Sequence, residues 1–167
     1  MFETSRQLGR IPVVAVCGEI AFDQTVWLKR LLAHPMMRGS VVLSAGFHRD
    51  AELGFGRVES FVKASSSSTG GCLCCGLNSG LGDALRSLFL RVLTKRAEPV
   101  DRVVIDAAGL DIGQIAYTLK HAPFLGQRYV FQTTLTVIGH RAVIENEAGA
   151  GGGAFFDFDE HSILKRV

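Results

Sequence analysis

The stretch IPVVAVCGEIAFDQTVWLKRLLAH, residues 11–34, carries the reading that decides the fold. Its first seven residues, 11–17, form a continuous apolar run rich in valine and closed by Gly18. Such a run suits a strand buried on both faces of a sheet. From Thr25, read as an N-cap or first-turn residue, the period changes. Trp27, Leu28, Leu31 and Leu32 then mark one face of a helix that Pro35 stops.

Working outward, the same alternation repeats. Residues 41–45 read as a second short buried strand, and RVESFVKA, residues 57–64, as a further strand. A long helix is predicted over 79–96, its buried stripe made of Leu81, Ala84, Leu85, Leu88, Phe89, Val92 and Leu93. Pro99 and Asp101 introduce RVVID, a strand ending in Asp106, and Gly109 opens a loop. A shorter helix over 112–121 precedes Pro123, and a last strand is predicted over 128–138. Strands alternating with helices predict an α/β fold built on an open, mostly parallel sheet. In that architecture ligands gather at the carboxyl ends of strands, here after residues 17, 45 and 106. Beyond residue 138 the pattern fades. The run AGAGGGA at 148–154 disfavours a regular element, so residues 1–138 are expected to be the domain and 139–167 an irregular, poorly ordered glycine-rich tail.

Composition limits the function classes. The chain has 167 residues, 47% hydrophobic and 20% charged, which fits one globular domain. Eighteen Lys and Arg against sixteen Asp and Glu leave +2, too little for a nucleic-acid footprint. No apolar stretch reaches the roughly 20 residues that a membrane span needs. Glu19 also cuts short the N-terminal run that a signal peptide would require. A cytoplasmic protein with reduced thiols is therefore expected. Four cysteines are too few for a secreted disulfide framework, yet three of them fall within four residues.

Those three lie in GGCLCCGL, residues 70–77. Cys72, Cys74 and Cys75 can surround one point because Gly70, Gly71 and Gly76 permit a tight turn. Thiolates are soft ligands that favour Zn²⁺ or Cu(I) over Mg²⁺ or Ca²⁺. Three ligands leave a fourth position open, which suits delivery of a metal better than a closed structural site. His48, after the second strand, is one source of a fourth ligand; a solvated loop histidine is the alternative. The cysteine cluster itself also admits a redox disulfide or reduced cysteines packed as small hydrophobes.

Two further motifs concern nucleotides. Gly18 to Thr25, GEIAFDQT, has the register of the phosphate loop G-x-x-x-x-G-K-[ST]. Gly18 and Thr25 match it, but Asp23 stands for the second glycine and Gln24 for the lysine. An aspartate facing a triphosphate repels it, and glutamine brings no charge. DRVVIDAAGL, residues 101–110, places Asp106 at a strand end with Gly109 three residues on. P-loop enzymes hold Mg²⁺ and sense the γ-phosphate from such a position; an aspartate capping the next turn is the alternative.

Taken together, residues 11–138 resemble the nucleotide-binding domain of CobW-type P-loop GTPases, relatives of the UreG and HypB metal-insertion proteins. That family carries a Walker A of the form T-G-F-L-G-x-G-K-T-T, a G-C-x-C-C-x-L motif, a strand ending E-T-x-G-L and a strand ending V-T-V-V-D. Residues 17–25 lie over the first, 71–77 over the second, 101–110 over the third, and LTVI at 135–138 over the fourth. The resemblance implies a P-loop NTPase-type sheet and a metallochaperone of the zinc or cobalt class, with the metal on Cys72, Cys74 and Cys75. It also implies GTP and Mg²⁺ at Gly18, Asp23, Gln24, Thr25, Asp106 and Gly109, and a protein client.

The sequence departs from that pattern at the nucleotide. Ala21, Asp23 and Gln24 replace two glycines and the lysine, and Ala107 and Ala108 replace hydroxyl-bearing residues. SAGFHRD stands where the family has N-E-F-G, and no N-K-x-D motif occurs. ENEAG at 145–149 looks like the missing switch but lies beyond the last strand. Losing the lysine and its glycine removes both positioning and electrostatic stabilisation. The expectation is a CobW-like zinc-binding protein with a degenerate GTP site that does not hydrolyse, and with no nucleic-acid or membrane partner. An active GTP-dependent metallochaperone is one alternative, and a non-catalytic interaction subunit of a full-length relative is the other.

Overall fold

The computed structural model describes residues 9–18, 21–45, 57–61, 78–107, 110–138, 141–146 and 154–156. Strand β1 (Ile11–Gly18) leads into helix α1 (Ala21–Ala33), a 3₁₀ turn (Pro35–Met37) and β2 (Ser40–Ser44). After β3 (Arg57–Ser60) come α2 (Asn78–Leu93), β4 (Arg102–Asp106), α3 (Ile112–His121) and α4 (Pro123–Arg128). The chain ends its described course in β5 (Tyr129–Ile138), β6 (Arg141–Asn146) and β7 (Ala154–Phe156). The seven strands form one sheet in the order β3-β2-β4-β1-β5-β6-β7. Pairings from β3 through β5 are all parallel, whereas β5–β6 and β6–β7 are antiparallel. This is the α/β, mostly parallel open sheet that the alternating pattern predicts.

Apolar side chains cover both faces. On one, Trp27, Leu28, Leu31 and Leu32 of α1 pack with Val14, Val16, Val42 and Val104. On the other, Leu81, Leu85 and Leu88 of α2 join Ile115, Leu119 and Leu125 over Val13, Ala15, Val41, Leu43, Val103 and Ile105. Alternate residues of β1 therefore serve opposite layers, which is why its sequence shows no polar alternation.

In β5 that alternation is reset by one residue. Val13 pairs with Phe131 but Val14 pairs with Thr133, so Gln132 is the extra residue of a bulge. Tyr129 and Phe131 face the α2 layer, and Leu135 and Val137 face the α1 layer. Without the bulge, these four odd-numbered positions would all share one face.

Several boundaries differ from the sequence reading. Helix α1 starts at Ala21, not at Thr25. Residues 21–24, Ala-Phe-Asp-Gln, contain no glycine or proline to stop helical propagation. Pro123 opens a second short helix as well as following the first, because proline at N1 loses no hydrogen bond. That helix takes Arg128, so β5 begins at Tyr129.

Helix α2 stops at Leu93, where Lys95 turns left-handed with φ 57°. Arg96 N then donates to Arg91 O and Lys95 N to Val92 O, the paired bonds of a Schellman cap. Leu93, expected in the buried stripe, is 66% exposed. The stretch beyond residue 138 is described only in part. Strands β6 and β7 lie within it, and the glycine run falls in the connection between them, at residues outside those described.

The edge strand β3 is only four residues long and is charged. Glu59 pairs with Arg57 Nε at 3.2 Å and with Arg91 of α2. Short length and charge both discourage pairing with another chain.

Candidate functional site

The parallel strands bring their carboxyl ends to one edge of the sheet. There β1 ends in Cys17 and Gly18, β2 in Ser44, β4 in Asp106 and β5 in Ile138. Neighbouring β1 and β4 are followed by helices on opposite faces, α1 on one and α3 on the other. A crevice between two such strands is where open α/β sheets bind ligands. Ala107 N continues the ladder by donating to Val16 O at 2.8 Å, so β4 runs alongside β1 to the lip of that crevice.

Asp106 is 1% exposed and Ser44 is fully buried. The two are register partners on β4 and β2, and Ser44 Oγ donates to Asp106 Oδ2 at 2.7 Å. Parallel register puts adjacent side chains on the same face, here the α1 face that Val42 and Val104 share two residues earlier. A second polar pair sits on the other side of β1. Cys17 Sγ lies 3.4 Å from Thr136 Oγ1, again between register partners.

The turn that follows β4 is shaped locally. Leu110 N donates to Ala107 O, and the Asp111 side chain caps α3 by accepting from Gln114 N at 3.3 Å. The capping residue is therefore Asp111. The spacing Asp111-x-x-Gln114 is a capping-box signature that identifies this helix start in the sequence.

The predicted nucleotide residues fall as follows. Gly18 ends β1, while Asp23, Gln24 and Thr25 lie inside α1. Only residues 19 and 20 separate strand from helix. Asp23 and Gln24 stand where a phosphate loop has its second glycine and its lysine. Asp106 keeps the strand-end position expected of it, and Gly109 lies outside the described residues.

Cys72, Cys74, Cys75 and His48 also lie outside the described residues. Among the described residues, no group of three or more His, Cys, Asp or Glu side chains is arranged to hold a metal ion. The connection that carries the cysteines has described ends. It leaves β3 at Phe61, whose N–H donates to Ser44 O at 2.9 Å, and it enters α2 at Asn78. Helix α2 joins parallel strands β3 and β4, so it runs back from the carboxyl edge and begins there.

Sequence reasoning missed Ser44, Cys17 and Thr136, because each acquires its role only from a neighbour on another strand. A cleft of about 440 Å³ opens at the opposite, amino edge beside Gly39, Ser40, Arg57 and Glu98. Among the described residues, no motif residue lines it.

Compared with protein-family models, characterised proteins and solved structures, the chain matches none. Among the described residues, no helix is long and apolar enough to cross a membrane.

Proposed function

We propose that this chain is a CobW-like metal-binding protein of the zinc class, in which Cys72, Cys74 and Cys75 hold the ion and the former nucleotide site no longer turns over GTP. One observation carries the reading. The β3–α2 connection, which contains the three cysteines, starts and ends at the same sheet edge as Gly18 and Asp106. Both ends of that connection lie at the edge where the predicted nucleotide positions stand, which supports a link between the two motifs. Asp23 and Gln24, in place of the glycine and lysine of a phosphate loop, support loss of the nucleotide function, because the lysine charge that a triphosphate needs is missing. A cytoplasmic setting belongs to this reading, since reduced thiols are the metal-binding form.

Zinc titration of reduced protein with a thiolate-sensitive reporter tests the metal. One equivalent bound by the native chain, and lost in a Cys72→Ser, Cys74→Ser, Cys75→Ser triple variant, is the expected result. Absence of binding in fully reduced native protein overturns it. Calorimetric titration with millimolar GTP and Mg²⁺ is expected to be flat. Saturable heat there would instead support the GTP-dependent metallochaperone.

A further inference from the structure

No further inference is drawn: the strongest candidate, the exposed Leu90 and Leu93 on the outer face of helix α2 beside a groove of about 320 Å³ bordered by Arg86, Arg91 and Arg96, carries nothing because nothing in the structure shows what covers it.

Discussion

Ser44 Oγ donates to Asp106 Oδ2 at 2.7 Å, joining the last residues of two adjacent parallel strands beneath the surface of the sheet edge. A buried carboxyl group loses its contact with water and must be compensated by hydrogen bonds. Ser44 supplies one of them. Ser44→Ala removes that donor and should destabilise the fold by about 1–3 kcal/mol. Urea unfolding should show a lower midpoint with an unchanged slope. A shift below about 0.5 kcal/mol would mean that the remaining partners of Asp106 already suffice.

Lys95 occupies the left-handed position of the α2 cap, with φ 57°. A residue with a Cβ is strained there, and glycine is not. Lys95→Gly should therefore stabilise the protein by about 0.5–1 kcal/mol, and Lys95→Val should destabilise it. Thermal unfolding of the three proteins side by side gives the order.

Gly39 has φ 81°, and a Cβ at this position would stand 2.5 Å from Asp101 Oδ2. Two costs are separable here, because the Asp101 side chain can swing away whereas the backbone conformation cannot relax. Gly39→Ala should cost about 1–2 kcal/mol, the backbone term. Adding Asp101→Ala should restore little of it. Full recovery in the double variant would show that the clash dominates.

Gln132 is the residue that switches β5 between the two core layers. Its deletion would turn the bulge into regular strand, in which Phe131 still pairs with Val13 and Thr133 with Val14, so Tyr129 and Phe131 stay on the face opposite Leu135 and Val137. The shortened strand should therefore keep a cooperative unfolding transition, weaker than the native one by no more than about 3 kcal/mol. Gln132→Ala keeps the residue count and should retain that transition. Loss of the transition on deletion alone would overturn the assignment of Gln132 as the unpaired residue.

Tyr129 is buried, and its hydroxyl donates to Leu85 O at 2.7 Å. Burial, followed by the negative charge of Glu59, pushes its pKa well above the ordinary tyrosine value. A raised folded pKa gives stability that is fully present below the unfolded value of about 10 and is lost as pH rises through the folded value. Native protein should therefore lose stability relative to Tyr129→Phe between about pH 8 and about pH 11. At the lower pH the variant should be weaker by about 0.5–1.5 kcal/mol, from the missing hydrogen bond. A difference that does not change with pH would contradict this account.

How far the sequence speaks depends on the range of the interaction. Trp27, Leu28, Leu31 and Leu32 pack against the sheet as their spacing predicts, because helix periodicity is local. The bounds of α3 were likewise readable, with Asp111 before it and Pro123 after it. The start of α1 was not, since a resemblance to a phosphate loop suggested an open turn where residues 21–24 favour helix. The Gln132 bulge was invisible for another reason. Its effect exists only relative to the register with β1.

The sequence by itself determined the alternation of buried strands and amphipathic helices, and hence an α/β sheet with its motif residues at strand ends. Apolar period and turn residues act over a few positions, so they survive without tertiary information. Only the tertiary structure decided the order β3-β2-β4-β1-β5, which makes Ser44 the partner of Asp106 and Thr136 that of Cys17. It also decided that two residues separate β1 from α1 and that β6 and β7 extend the sheet. Strand order and register come from packing distant segments against one another, and no local preference encodes that choice.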